Sequence, residues 1–180
     1  CLLSRGLGDV YKRQREDNVA TVETQIKFER SFIMEKKNID WSSLGFAYTP
    51  TDYRYVSWNK DGKWDKGELT SDPNITMSEC ACVLQYAQTV FEGLKAYTTK
   101  DGRTVCFRPD LNAKRLADSC RRLKIPAVPE EQFIDAVKKV VKANEAYVPP
   151  FGSGATLYLR PFVFGYDSII GVKPANEFQF

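Results

Sequence analysis

Residues 84–108, LQYAQTVFEGLKAYTTKDGRTVCFR, decide the fold. Leu84, Ala87 and Phe91, together with Val83 and Val90, fall on i, i+3, i+4, i+7 spacing. That spacing predicts a short helix over residues 83–93, stopped by Gly93. Residues 94–98 and 104–107 are β-rich runs joined by Lys100-Asp101-Gly102, which predicts a hairpin.

On the N-terminal side, residues 53–58 read as a strand carrying Tyr53, Tyr55 and Ser57 on one face and Arg54, Val56 and Trp58 on the other. The turn Asn59-Lys60-Asp61-Gly62 returns the chain through Lys63-Trp64. On the C-terminal side, Pro109-Asp110 opens a helix in which Leu116, Cys120 and Leu123 share a stripe, and Pro126 and Pro129 break the chain. Glu130 and Glu131 begin a second helix, to about residue 147, with Phe133, Val137, Val140 and Val141 inward and Lys138, Lys139 and Lys142 outward. After a Pro- and Gly-rich loop, residues 155–165 form a strong strand with Leu157, Leu159 and Val163 on one side and Tyr158, Arg160, Phe162 and Phe164 on the other. Hairpins mixed with separate helices predict an α+β domain with a mainly antiparallel sheet and flanking helices.

The composition narrows the function classes. A chain of 180 residues with 43% hydrophobic content is long enough for a core of its own. The net charge of +3 is mild and lacks a basic run that suits a nucleic acid, and the apolar runs are far too short for a membrane span. Five cysteines without framework spacing argue against a secreted disulfide scaffold. Cys80-x-Cys82 is too tight for a zinc knuckle, and the chain has no histidine, so no metal is expected. Buried free thiols in a reducing cytoplasm are the reading that remains.

The wording QYAQTVFEGLKAY, followed by FRPDLNAKRLADS, GSGATLYLRPFVFG and GVKPANEFQF, closely resembles the branched-chain amino acid aminotransferases. These are pyridoxal-phosphate enzymes of fold type IV. The resemblance runs over residues 34–180, and it implies the small N-terminal domain of a two-domain aminotransferase. The family's Schiff-base lysine lies in a second domain, and none of the lysines here, Lys95 included, matches it. Residues 1–33 do not resemble the family. Residues 1–14, CLLSRGLGDVYKRQ, read as translated sequencing adapter, and MEKKNIDW from Met34 looks like a family N-terminus. The alternating residues 177–180 read as a strand cut short, which suggests a fragment.

The candidate site residues are weighed twice, by pattern and by resemblance. Arg160, among aromatics on one strand face, either reaches water at a sheet edge or meets a carboxylate with its planar fork. The resemblance places Tyr158 and Arg160 in the substrate pocket, with the arginine toward the distal carboxylate of glutamate or 2-oxoglutarate. Tyr86 and Phe91 read as core aromatics by spacing, whereas the resemblance puts them, with Phe46, in the wall of the branched side-chain pocket. Arg115 reads as part of a solvated basic helix face, and by resemblance as the contact to the phosphate of pyridoxal 5'-phosphate. Val172 is by pattern a loop valine, and by resemblance a residue that reaches the neighbouring subunit, which implies a homodimer. Gln85 stands where many relatives have histidine.

The expected function is therefore transfer of the amino group of leucine, isoleucine or valine to 2-oxoglutarate, in the cytoplasm, with residues 1–180 alone inactive. One alternative is another fold-type-IV enzyme, a D-amino acid aminotransferase or aminodeoxychorismate lyase. Another is a non-catalytic binding or dimerisation module.

Overall fold

The computed structural model describes residues 25–27, 35–45 and 48–180. Three antiparallel sheets and three α-helices fill them. The expected α+β class with mainly antiparallel pairing is what the chain adopts.

One sheet contains β1 (Gln25–Lys27), β8 (Thr104–Phe107), β7 (Leu94–Thr98) and β9 (Leu157–Leu159), in that order. β1 lies in the stretch set apart as an extension, and its backbone pairs with β8. A second sheet orders β4 (Lys63–Trp64), β3 (Trp58–Lys60), β11 (Phe178–Gln179), β10 (Phe162–Gly165) and β6 (Thr89–Phe91). The third is a ribbon of β2 (Arg54–Val56) and β5 (Glu68–Thr70). The helices are α1 (Cys82–Tyr86), α2 (Pro109–Arg122) and α3 (Glu130–Ala143).

The hairpin of β7 and β8 falls on the expected residues, with Ala96 opposite Cys106. The helix expected over residues 83–93 does not run that far. Ala87 takes a left-handed φ of 52°, and its N–H closes onto the Val83 carbonyl, which ends α1 after Tyr86. Thr89, Val90 and Phe91, β-branched and aromatic, then pair with Phe164, Val163 and Phe162 as β6. The apparent helical stripe was coincidental, and Leu84 and Phe91 are exposed.

Three further boundaries differ from the sequence reading. The strand expected over residues 53–58 divides at buried Ser57, whose backbone exchanges hydrogen bonds with Phe180 while β2 leaves to pair with β5. The turn that follows is Asp61-Gly62, both at positive φ, the conformation of a tight hairpin. α3 stops at Ala143 because the buried Asn144 amide turns to the Tyr53 backbone, accepting from its N–H at 3.0 Å and donating to its carbonyl at 2.9 Å. A single 3₁₀ turn, Glu145–Tyr147, completes the segment. Leu123 does not join the buried stripe of Leu116 and Cys120; it lies just past α2, largely exposed.

The strand expected over residues 155–165 is two strands in two sheets. Pro161 has no N–H to donate, so the ladder breaks at Arg160-Pro161. β9 pairs with β7 and β10 pairs with β6 and β11. The facing strand breaks at the same level, at Glu92-Gly93, and the Glu92 N–H donates to the Pro161 carbonyl at 2.8 Å. Two antiparallel strands thus turn one corner together.

The core lies between these sheets and the pair α2–α3. Leu116, Cys120, Phe133, Val137 and Val141 of the helices meet Val90, Leu94, Ala96, Val163 and Phe178 of the strands. Phe178 sits on β11, which occupies the middle of the five-stranded sheet between β3 and β10. Gln88 ties the layers: its Nε2 donates to the Leu123 carbonyl, and its Oε1 accepts from the Ala175 N–H.

Among the described cysteines, Cys82, Cys106 and Cys120 are buried and Cys80 is partly open, all as free thiols. Burial pushes the Cys106 thiol up to about 12 and the Cys120 thiol up to about 11, which keeps both protonated and unreactive. Among the described cysteines of the native protein, a thiol reagent is expected to label Cys80 first and to reach Cys82, Cys106 and Cys120 only on unfolding. Fast native labelling of Cys106, read by mass spectrometry, contradicts this packing.

Candidate functional site

The corner shared by the two bent strands gathers charged and polar groups around one buried carboxylate. Glu92 is its centre. Its side chain is only 4% exposed, and its neighbours on β6 and β7, Val90 and Leu94, belong to the apolar core. An unpaired carboxylate there is costly, and the chain supplies partners from α2. Arg115 Nε donates to Glu92 Oε1 and Nη2 donates to Oε2, each at 2.6 Å. Asn112, one turn earlier on α2, donates Nδ2 to Oε2 at 2.9 Å and to the Gly93 carbonyl at 3.2 Å.

Burial pulls the Glu92 carboxyl upward. The hydrogen bonds from Arg115 and Asn112, with the guanidinium charge, outweigh that and hold it below its ordinary value. The same bonds hold the Arg115 guanidinium above its usual range. The pair is asymmetric. Glu92 is enclosed, whereas the Arg115 side chain is 65% exposed. Two of the five guanidinium N–H donors face inward, and the rest lie on the open side.

On the opposite strand of the corner stands Arg160. Its guanidinium carbon lies 4.6 Å from the centre of the Phe91 ring and 5.5 Å from that of Tyr158, both cation–π distances. Nη2 lies 3.3 Å from the Tyr158 hydroxyl, which accepts its hydrogen bond. Among the described residues, no carboxylate pairs with Arg160. Its exposed fork is held by aromatic faces and faces outward. Gly93 makes room for this arrangement: a Cβ there would come within 2.5 Å of the Tyr158 hydroxyl. The strand parity read from the sequence holds as far as Val163, since Tyr158, Arg160 and Phe162 are open while Leu159 and Val163 are buried. Phe164, expected on the open side, is instead buried in the second sheet between β6 and β11.

Tyr158 and Arg160 also line a cavity of about 380 Å³, together with Tyr55 from β2, Val137 from α3 and Gln179 from β11. Its size suits a small-molecule ligand, and its wall is mostly apolar. The buried Gln179 Oε1 has no partner among the described residues.

The structure thus brings together Phe91, Tyr158 and Arg160, and places Arg115 beneath the same corner. Tyr86 stands apart on α1, about two-fifths exposed, and does not line the cavity. Phe46 lies outside the described residues. Val172 is 96% exposed on the loop before β11. Gln85 donates Nε2 to the Glu79 carbonyl at 2.8 Å, which satisfies its amide locally. Lys95 stands opposite Tyr158 in the β7–β9 register, half-buried. Sequence reasoning missed Glu92, Asn112 and Gly93. The one available signal was an acidic residue inside an otherwise apolar run.

No protein-family model matches the chain. Curated relatives do. The chain is 53% identical over 144 residues to a branched-chain-amino-acid aminotransferase of Haemophilus influenzae, covering 80% of this chain and 42% of that protein. It is 50% identical over 144 residues to the enzyme of the same name from Helicobacter pylori, with the same coverage. An Arabidopsis thaliana relative, named as chloroplastic, is 45% identical over 152 residues, which is 37% of its length. Among solved structures, the Escherichia coli branched-chain amino acid aminotransferase is similar with a TM-score of 0.53 at 23% identity, over 71% of this chain and 39% of that one. The branched-chain aminotransferase of the thermophilic archaeon Thermoproteus uzoniensis, solved with norvaline, is similar with a TM-score of 0.52 at 23% identity, over 71% of this chain and 39% of that one. A further branched-chain amino acid aminotransferase, complexed with N-(5'-phosphopyridoxyl)-L-glutamate, is similar with a TM-score of 0.53 at 25% identity, over 72% of this chain and 40% of that one.

The Glu92 carboxyl, held below its ordinary value, ties stability to pH. Its contribution to stability is complete above the ordinary glutamate value of about 4.5 and is lost as pH falls through the lower folded value. The stability difference between the native protein and a Glu92→Gln variant is therefore expected to shrink on acidification below about pH 4.5, read by denaturant titration. A difference that stays constant from neutral pH into that range contradicts the ionised pair. The fold and the sequence identities make the chain a relative of the branched-chain-amino-acid aminotransferases, spanning about two-fifths of their length.

Proposed function

We propose that this chain supplies the small domain of a pyridoxal-phosphate-dependent transaminase that moves the amino group of leucine, isoleucine or valine to 2-oxoglutarate. The observation that carries the reading is Arg160, an exposed guanidinium stacked on Phe91 and Tyr158 beside a small-molecule-sized cavity and without a carboxylate of its own among the described residues. A planar fork of this kind suits two-point recognition of the distal carboxylate of glutamate or 2-oxoglutarate. Phe91 and Tyr158 offer the aromatic wall against which a branched apolar side chain would lie. A hydrophobic pocket separates such side chains only weakly, so use of all three amino acids is expected.

The exposed edge of Arg115 fits a phosphate group, because its inner edge is already satisfied by Glu92 and its outer donors remain available. When bound, pyridoxal 5'-phosphate supplies the electron sink for the reaction. The residues of this chain would bind and orient: Arg115 would hold the cofactor phosphate, Arg160 and Tyr158 would fix the substrate carboxylate, and Phe91 would shape the side-chain pocket. No lysine here is assigned the proton-shuttling role, so residues 1–180 alone are proposed to be inactive. Residues 34–180 supply the body of the domain, and β1 from the preceding stretch adds a strand to the edge of its sheet at β8. Val172, almost fully exposed on the loop before β11, is free to reach a partner subunit in the homodimer proposed here. No helix among the described residues is long and apolar enough to cross a membrane, and the free thiols among the described cysteines fit a reducing compartment such as the cytoplasm.

The test is steady-state transamination by the complete protein encoded by this reading frame. Arg160→Ala is expected to raise KM for 2-oxoglutarate by about tenfold or more, with a much smaller change for L-leucine. Equal effects on both substrates, or none, would sink the assignment of Arg160. Amino transfer from D-alanine in preference to L-leucine would instead favour the alternative fold-type-IV chemistry.

A further inference from the structure

We propose that Glu92 is a positioning residue for the cofactor phosphate, acting through Arg115. The inference rests on the transaminase reading above and extends it to a side chain that contacts no ligand itself. A flexible arginine on an open helix face normally samples many rotamers, and ordering it on binding a phosphate costs conformational entropy. Here the ordering is already done. Glu92 engages Nε and Nη2 in a two-point clamp at 2.6 Å each, which fixes the plane of the guanidinium.

The clamp is itself fixed. Glu92 sits at the sheet corner, where its own N–H is bonded to the Pro161 carbonyl. Its Oε2 takes a second bond from Asn112 at 2.9 Å and lies 3.3 Å from the Gly93 N–H. Asn112 also grips the Gly93 carbonyl, so α2 is registered against the corner at two points. The carboxylate therefore cannot follow the arginine outward. The arginine presents its outer donors in a set direction, as a phosphate site with a preformed first donor requires.

The clamp also links the two halves of the site. Glu92 is adjacent in sequence to Phe91, on which Arg160 stacks, and to Gly93, whose missing Cβ admits Tyr158. A shift of Glu92 would move the phosphate donor and the carboxylate donor together.

The decisive readout separates the phosphate from the rest of the cofactor. The complete protein is titrated with pyridoxal 5'-phosphate and with pyridoxal, which lacks the phosphate, following the visible absorbance and protein fluorescence. Glu92→Gln is expected to weaken binding of pyridoxal 5'-phosphate by about tenfold while leaving pyridoxal affinity unchanged. Arg115→Met should abolish most of the preference between the two, and Glu92→Gln should add nothing further in that background. A purely structural Glu92 would lower both affinities alike, or neither, and that result overturns the proposal. If Arg115→Met leaves the preference intact, the transaminase reading of Arg115 itself fails, a distinct outcome. If Glu92→Gln does not fold, Asn112→Ala removes one bond to the carboxylate on an accessible helix face. It is expected to give a smaller but equally phosphate-selective loss, and an unchanged preference there also overturns the proposal.

Discussion

A carboxylate placed among apolar neighbours constrains everything around it, and in this chain that carboxylate is Glu92. It is enclosed at the point where β6 passes into β7, beside Val90 and Leu94 of the core. Leaving it unpaired would cost several kcal/mol. The chain meets this demand with one guanidinium, one carboxamide and a backbone N–H. Those partners come from α2 and the Gly93 peptide, so satisfying a single side chain fixes where the helix lies on the sheet. The same residue carries the backbone bond to Pro161 that holds the second bent strand at the corner.

The corner turns a packing solution into a binding surface. A continuous sheet would pair every residue from 155 to 165 and bury alternate side chains evenly. Pro161 prevents that by withholding a donor, and the strand re-enters a different sheet as β10. Arg160, immediately before it, is left at the bend with Phe91 and Tyr158 on either side. Cation–π contact holds the guanidinium without neutralising its charge, so it keeps its capacity for an anion. Arg115 differs, since two of its five donors are spent on Glu92 while its side chain is largely exposed. One arginine is held by rings and the other by a carboxylate, and both present donors outward from the same bend.

Much of this architecture was legible in the residues. The β7–β8 hairpin, α2 and the inward face of α3 follow from turn chemistry and periodicity, and Phe133, Val137 and Val141 are buried where their spacing puts them. The parity of residues 157–163 correctly separated Arg160 from the core. What failed was local pattern set against tertiary demand. Residues 83–93 carry a helical stripe by spacing, yet Thr89 and Val90 are strand formers that had edges to pair with in Val163 and Phe164. Asn144 shortened α3 because its amide had a better use on the Tyr53 backbone than on helix propagation. Glu92 was overlooked for a related reason: a charged residue in an apolar run looks like an outward-facing position until the partner helix is known. Its pairing with Arg115 spans 23 positions and leaves no local trace in the chain.

The account's central claim is that one corner, organised by Glu92, presents both arginines to one bound substrate–cofactor pair. A crystal structure of the complete protein with pyridoxal 5'-phosphate and 2-oxoglutarate tests it most directly. The account predicts Arg115 bonded to Glu92 and to the cofactor phosphate at once, with the Arg160 fork on the distal carboxylate between Phe91 and Tyr158. A bound structure in which Arg115 has left Glu92 to reach the phosphate, or in which Arg160 points away from the substrate, would contradict it.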